Sequence, residues 1–236
     1  MSTGRLFMIP TTLGDSDVGM VLPLTLKKTI HRLDEFIVEN AKTARAFLKK
    51  MNIPTPQSEL KLHVLNNHTD SQELNGFLDN CRNGIDIGVL SEAGCPGVAD
   101  PGAEIARIAH QENIQVIPLI GPSSILLALM GSGMNGQSFT FHGYLPKDKS
   151  ELKSKIKEME LQSVNNNQTQ LFIETPYRNI KLLESLLQIL NPNTMLCIAC
   201  DLSLANEYIK TKTVAKWRLS GKQNIHKRPC IFLIYV

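Results

Sequence analysis

The chain has 236 residues, of which 42% are hydrophobic and 20% are charged, and its formal net charge is +3. This is the composition of an ordinary globular protein, long enough for one large domain or two modest ones. It contains no apolar run near the ~20 residues that a membrane span requires, and so slight a positive charge permits an RNA substrate without arguing for one.

The first half of the chain alternates strand patterns with helix patterns. Apolar runs predict strands at residues 6–9, 36–38, 60–65, 85–90 and 116–120, and amphipathic stretches between them predict helices. Strands separated by helices are typical of a parallel sheet. We therefore predict an N-terminal α/β domain with a five-stranded parallel sheet, covering residues 1–120.

The second half changes character. Residues 139–145, 171–174, 195–201, 207–214 and 230–236 read as strands, and residues 148–161 and 177–190 read as helices. Residues 163–167 are polar and predict a surface turn. Because several strands follow one another without a helix, residues 121–236 are expected to form a second α/β domain with a mixed sheet.

The cysteines and the N-terminus indicate a compartment. Five cysteines are spread widely without the spacing of a disulfide framework, which favours a reducing cytosol. The early apolar run is interrupted by Pro10, so no signal peptide is predicted. Cys197 and Cys200 have Cys-x-x-Cys spacing, but on a strand they would face opposite sides, so they are predicted to be core residues rather than metal ligands.

The loop at residues 91–99, SEAGCPGVA, is the strongest candidate for a ligand site. Its small residues let a ligand approach the backbone amides, and it follows a strand at the sheet edge where parallel sheets bind ligands. The alternative is that the glycines only turn the chain. Asp100 is expected to cap the next helix, with Pro101 at its first position.

The nature of the ligand is restricted by what the loops lack. No Gly-Lys-Ser/Thr ends the loop, and the first strand is followed by PTTLGD at residues 10–15 rather than by Gly-x-Gly-x-x-Gly. A cofactor held by its phosphates is therefore disfavoured, and a ligand of adenosine type without phosphates fits better.

Four blocks carry a resemblance to a known family. SEAGCP at residues 91–96 with DPG at 100–102, GPSS at 121–124, GYLP at 143–146 and ETPYR at 174–178 resemble the tetrapyrrole methylase superfamily. Within it, the chain is most similar to the (cytidine-2'-O)-methyltransferase branch, ribosomal RNA small-subunit methyltransferase I. The resemblance extends over nearly the whole chain. It implies a two-domain fold, a homodimer and S-adenosylmethionine bound in a cleft between the domains. Methyl transfer from this cofactor requires no metal, so none is expected.

The resemblance also implies which residues bind the cofactor. Residues near Pro10 and in the loop after the fourth strand would contact it, and residues 229–231 would line the adenine pocket. The full implied set is Pro10, Ser91, Ala93, Gly94, Cys95, Val98, Ser123, Ser124, Tyr144, Leu145, Glu174, Pro229, Cys230 and Ile231. We expect Gly94→Val to abolish cofactor binding while leaving the fold nearly intact.

The acceptor of the methyl group is less closely specified. The branch patterns after the first and second strands and ahead of the last strand are altered here, at residues 10–15, 39–43 and 226–229. The leading hypothesis is a cytoplasmic enzyme that methylates a ribose 2'-hydroxyl of ribosomal RNA. The alternatives are a methyltransferase acting on a tetrapyrrole or another small molecule, and a cofactor-binding module without catalysis.

A ribose hydroxyl must lose its proton to accept a methyl group, so a general base is expected. The carboxylates at strand ends are Glu39, Glu92, Glu174 and Asp201. Each has an alternative interpretation as a solvated or salt-bridged group, and the sequence leaves the catalytic residue unknown.

Overall fold

The computed structural model describes residues 3–65 and 69–236, and for residues 71 and 72 it describes the backbone alone. The chain divides into two compact units, one ending at Ser123 and the other beginning at Ser124. Each unit contains one five-stranded sheet. None of the helices in the described ranges combines the length and the apolar character that crossing a bilayer would require.

The first unit is built on a parallel sheet. Its strands are β1 (Arg5–Ile9), β2 (Glu35–Val38), β3 (Lys61–Val64), β4 (Ile87–Leu90) and β5 (Gln115–Pro118), arranged in the order β3-β2-β4-β1-β5 with all neighbours parallel. The helices are α1 (Val18–Val21), α2 (Leu24–Ile30), α3 (Ala41–Lys50), α4 (Ser71–Gly76), α5 (Asp79–Arg82) and α6 (Gly102–Gln111). The predicted parallel sheet is confirmed.

Both faces of this sheet are covered, which explains why its central strands read as continuous apolar runs. Along β1, Leu6 and Met8 pack into one core cluster with Ile105 of α6. Phe7 and Ile9 point the other way and pack into a second cluster with Leu26 of α2. A strand buried on both faces has no polar side to alternate with its apolar one.

The second unit has a mixed sheet, as predicted. Its strands are β6 (Phe139–Tyr144), β7 (Thr169–Ile173), β8 (Met195–Cys200), β9 (Tyr208–Thr213) and β10 (Cys230–Tyr235), in the order β6-β7-β10-β8-β9. Only β6 and β7 are parallel. The helices are α7 (Ser124–Ser132), α8 (Lys149–Asn166), α9 (Asn179–Ile189) and α10 (Val214–Arg218). The fold class is confirmed, and the cofactor cleft remains a prediction.

The core of the second unit is centred on Trp217 of α10. Its side chain is 2% exposed, and the indole N–H donates to the Leu196 carbonyl of β8 at 2.8 Å. The Phe172 and Phe232 rings stack in the same cluster with their centroids 5.9 Å apart. A buried indole needs such an acceptor, because an unpaired N–H would lose its hydration without compensation.

The surface turn predicted at residues 163–167 is wrong. Helix α8 continues to Asn166, and Asn167, with φ of 49°, ends it in the left-handed conformation that asparagine tolerates. Ser163 is fully buried, and its hydroxyl accepts a hydrogen bond from the Val236 amide at 3.0 Å. The mostly polar residues 163–166 are therefore helical, and the hydrogen bond to Val236 compensates the burial of the Ser163 hydroxyl.

The structure joins Cys200 to Cys230 in a disulfide, a pairing that the cysteine spacing did not predict. The two residues are direct partners on the antiparallel strands β8 and β10. Cys200 packs in the core cluster around Trp217, whereas Cys197 is buried without belonging to that cluster. The prediction that Cys197 and Cys200 do not converge is consistent with this alternation.

Candidate functional site

Two loops of the first unit are joined at the carboxyl edge of its sheet. The amide of Thr11, after β1, donates to the Gly94 carbonyl, after β4, at 2.9 Å. The Thr11 hydroxyl donates to the Ser91 carbonyl at 3.2 Å, and the Ser91 hydroxyl donates to the Gly94 carbonyl at 2.5 Å. Adjacent parallel strands end at the same edge, so these bonds fix the two loops side by side.

A third loop, after β5, lies against the same pair. The Cys95 thiol donates to the Pro122 carbonyl, with 3.4 Å between the sulfur and the oxygen. A side-chain carbon added at Gly121 would lie 2.2 Å from the Cγ of Pro10, so only glycine fits there. The structure thus brings together the predicted residues Pro10, Ser91, Gly94 and Cys95.

The loop after β4 has a conformation that restricts substitution. Gly94 and Gly97 have φ of +77° and +79°, which strains any other residue. At Gly94 an added Cβ would also lie 3.1 Å from Leu13 and 3.2 Å from the Pro122 carbonyl oxygen. The outcome of Gly94→Val stays a prediction, but because the substitution strains the loop itself, loss of binding in that variant would not separate a ligand loop from a turn.

Asp100 closes this loop. Its Oδ1 accepts hydrogen bonds from the Gly97 amide at 2.5 Å and from the Gly102 amide at 2.8 Å. Helix α6 begins at Gly102, one residue later than predicted, and the carboxylate still satisfies an amide of its first turn. Burial raises the pKa of Asp100, and the two amide bonds offset part of that rise. The loop is held at both ends.

The middle of the loop presents hydrogen-bond donors. Within residues 3–65 and 69–236, no acceptor is bonded to the backbone amides of Ala93, Gly94 or Cys95. Ala93 and Val98 are exposed, Cys95 is half-buried and Gly94 is buried, so a ligand can reach this backbone most directly at Ala93. Successive free amides in a turn bind carboxylate or hydroxyl oxygens. S-adenosylmethionine carries both groups, so these residues fit it.

Two candidate bases lie beside this loop. The Glu39 carboxylate, after β2, accepts the Glu92 amide at 3.3 Å, and the Glu92 carboxylate accepts the Thr43 hydroxyl at 2.6 Å. Burial raises the pKa of Glu39, and the nearby Asp100 and Glu92 carboxylates raise it further, while the Glu92 amide opposes them. Glu92 and Thr43 line a cavity of about 290 Å³ at the same edge.

The predicted residues of the second unit lie around one end of its sheet. Tyr144 of β6 and Ile231 of β10 both pair with Ile173, the last residue of β7, and Glu174 follows it directly. Tyr144 is 64% exposed and Pro229 is exposed. The side chains of Leu145, Cys230 and Ile231 are buried, so only their backbone atoms could meet a ligand.

The two candidate bases of the second unit, Glu174 and Asp201, both form ion pairs with arginines. The Glu174 carboxylate accepts the Thr175 amide at 2.7 Å and pairs with Arg178 at 3.3 Å. The Asp201 carboxylate pairs with Arg228 at 2.6 Å and also accepts the Asn206 side-chain amide. For both groups the salt-bridged alternative describes the structure.

Two of the predicted residues mark the junction of the units in sequence. Ser123 is the last residue of the first unit, and Ser124 is the first residue of helix α7. Sequence reasoning did not single out Thr11, whose hydrogen bonds join the β1 and β4 loops. It lies in the altered PTTLGD block, and nothing in that block distinguishes a threonine that bonds to a neighbouring loop from one that is solvated.

Comparison with known proteins assigns the family. Residues 22–217 match the model of the Tetrapyrrole (Corrin/Porphyrin) Methylases. The chain is 28% identical over 233 residues to Ribosomal RNA small subunit methyltransferase I of Vibrio cholerae, covering 98% of this chain and 76% of that protein. It is 30% identical over 205 residues to the protein of the same name from Synechocystis, covering 86% and 69%.

Solved structures share the fold. The methyltransferase CobJ superposes with a TM-score of 0.65 at 15% identity, covering 99% of this chain and 94% of that one. Uroporphyrin-III-C-methyltransferase from Thermus thermophilus gives a TM-score of 0.55 at 16% identity, covering 98% and 92%. The chain therefore belongs to the tetrapyrrole methylases and is, as predicted, a methyltransferase that uses S-adenosylmethionine.

Proposed function

We propose that the protein transfers the methyl group of S-adenosylmethionine to a ribose 2'-hydroxyl of ribosomal RNA. The observation that carries the proposal is the sheet edge where the loops after β1, β4 and β5 converge, with unbonded amides at the exposed Ala93 and the half-buried Cys95. The acceptor is supported by the relatives, which are named as methyltransferases of small-subunit ribosomal RNA and are aligned over 86–98% of this chain.

The cofactor supplies a methyl group on a positively charged sulfur, so the protein's task is mainly one of alignment. Positioning of reactants can supply roughly 7–11 kcal/mol of a reaction barrier. The free amides of the β4 loop would hold polar groups of the cofactor, and the bonds from Thr11 to Ser91 and Gly94 would keep that loop in register. Pro10 lies so close to Gly121 that no side chain fits between the loops after β1 and β5.

Glu39 is the group that we propose to accept the hydroxyl proton. Among the four candidate carboxylates, Glu174 and Asp201 are paired with arginines, and Glu92 accepts a hydroxyl hydrogen bond from Thr43. Glu39 has no arginine or lysine partner among the described residues, and its pKa is raised by burial. A carboxylate with a raised pKa is a better proton acceptor near neutral pH.

The decisive experiment is transfer of labelled methyl from S-adenosylmethionine. The purified protein is offered small ribosomal subunits, naked ribosomal RNA and a mixture of tetrapyrroles in separate reactions. Label in the RNA ribose, located by nuclease digestion, is the expected result. Label in tetrapyrroles alone would show that the acceptor is a tetrapyrrole and not RNA. Label in none of the three would contradict the proposal.

A tetrapyrrole acceptor is the second candidate, because the two solved structures named above include a uroporphyrin methyltransferase. The identity to that protein is 16%, which supports the fold and not the substrate. We further propose a homodimer, as the resemblance implies, and a location in the cytoplasm, where a ribosomal RNA substrate would be met. Sedimentation of the purified protein tests the dimer directly.

A further inference from the structure

Helix α8 carries a row of lysines on one face. Lys149, Lys153 and Lys157 are spaced four residues apart, which places them above one another along the helix. Like charges at this spacing destabilise a helix, so the row is not explained by helix formation. We call these three residues the lysine stripe.

The stripe faces a groove formed with helix α9. A cavity of about 520 Å³ is lined by the stripe and by Lys147, Arg178 and Lys181, among other residues. Glu174 is the one carboxylate in this lining, and it is already paired with Arg178. The groove therefore concentrates positive charge in a protein whose net charge is only +3.

These lysines are not neutralised by the protein. In the part of the chain that the structure describes, no carboxylate forms an ion pair with Lys147, Lys181 or any member of the stripe. Lys155 lies on the same helix outside the groove, and it pairs with Glu158 at 3.0 Å. Uncompensated charge in a groove attracts anions more strongly than the same charge spread over a surface.

The dimensions of the stripe suit a polyanion. From Lys149 to Lys157 the helix rises ~12 Å, since each residue adds ~1.5 Å. A nucleic-acid strand presents one phosphate per ~3.4 Å of duplex axis, so the stripe spans three or four phosphates. Lysine ammonium groups act as point charges on phosphate, which positions a nucleic acid without reading its sequence.

We propose that the groove between α8 and α9 binds the phosphate backbone of the RNA substrate. The proposal rests on the proposed function, and it assigns a role to a surface of helices α8 and α9 that borders Glu174, one of the residues that the resemblance implies for the cofactor. It makes the groove a positioning surface, with base recognition left to other residues.

The test compares two triple variants with the same loss of charge. The first is Lys149→Gln, Lys153→Gln and Lys157→Gln. The control is Lys28→Gln, Lys49→Gln and Lys155→Gln, which removes three exposed or ion-paired cations outside the groove. Binding of fluorescent small-subunit ribosomal RNA is measured by anisotropy at several salt concentrations, and thermal unfolding verifies that each variant is folded.

The stripe variant is expected to bind RNA about 100-fold more weakly than the wild type near 0.1 M salt, because each lost contact removes ~0.7 from the slope of log affinity against log salt. Its slope should fall by about 2, and that of the control should change by less than about 1. Equal losses in both variants would overturn the groove proposal while leaving the function intact. Wild-type protein that binds the cofactor but neither binds nor methylates RNA would overturn both.

Discussion

Glu39 differs from the other three candidate bases in its surroundings. It is half-buried, two further carboxylates lie near it, and a single backbone amide is its hydrogen-bond donor. These surroundings disfavour the ionised form of Glu39, whereas Glu174 and Asp201 are each paired with an arginine. A carboxyl group whose pKa is raised beside a ligand-binding loop is typical of catalytic sites.

Substitution Glu39→Gln is expected to lower the methylation rate by about 10²–10⁴-fold, the usual contribution of a general base. Cofactor affinity should be unchanged, because glutamine keeps the oxygen that accepts the Glu92 amide. The wild-type rate should rise with pH through the raised pKa of Glu39, and the variant should lose this dependence. Single-turnover rates and calorimetry of cofactor binding measure the two effects separately. An unaltered pH profile in the variant would contradict the role of Glu39.

The same substitution should stabilise the protein. Because the pKa of Glu39 is raised in the folded state, ionisation of this carboxyl opposes folding. Its contribution is most favourable below the unfolded pKa of about 4.3 and is lost as pH rises through the folded pKa. Glu39→Gln should therefore raise the melting temperature at pH 7 and have little effect near pH 4. Glu59→Gln, at an exposed position, is the control and should show no such pH-dependent gain.

The loop after β4 has a defined conformation that hydrogen bonds hold in place, unlike a simple turn. Thr11 and Asp100 bind it at either end, and its positive-φ glycines are needed for its path. The exposed Ala93 offers a way to obstruct the loop without straining it, since Ala93 is not among the residues with positive φ.

Substitution Ala93→Leu is expected to weaken binding of S-adenosylmethionine by tenfold or more, because the added side chain covers the free amides of the loop. A factor of ten corresponds to about 1.4 kcal/mol. Ala215→Leu, at an exposed position of helix α10, is the matched control and should bind as the wild type does. Calorimetry gives both affinities. If Ala93→Leu binds normally, the loop serves only to turn the chain.

Secondary-structure elements could be predicted from sequence where burial of apolar side chains alone determines the pattern. Strand β1 is buried on both faces, so its apolar run is unambiguous. The end of helix α8 was missed, because Ser163 is stabilised by a bond to Val236, a residue 73 positions away. Such contacts are absent from local patterns, as is the strand pairing that places Cys200 opposite Cys230.

The position of the ligand loop could be predicted from sequence, but the side-chain ion pairs around the candidate site could not all be predicted. Small residues after β4 indicated a ligand loop, and the structure joins that loop to Thr11 and Pro122. The arginine that pairs with Asp201 could not be assigned from sequence, because Arg228 lies 27 positions away and is brought near only by the fold, whereas Arg178 is only four residues from Glu174. The cofactor was identified from the resemblance to the methylases, and Glu39 was selected among the candidate bases from the burial around it.

The protein as a whole has little net charge, so its response to salt must come from local concentrations of charge. Counterions released from about five RNA contacts, one for each unpaired lysine of the α8–α9 groove, would give a slope near 3.5 in log KM against log salt. A net charge of +3 spread over the surface would be largely screened beyond ~10 Å at 0.1 M salt.

The KM for RNA is therefore expected to rise about 100-fold between 50 and 200 mM salt, while the KM for S-adenosylmethionine changes little. The second expectation follows because the proposed cofactor contacts are backbone amides, which release no condensed counterions from the ligand. Initial rates with each substrate varied in turn measure both constants. A KM for RNA that is insensitive to salt would mean that the substrate is held by base and shape contacts, and it would leave the unpaired lysines of α8 without a role in RNA binding.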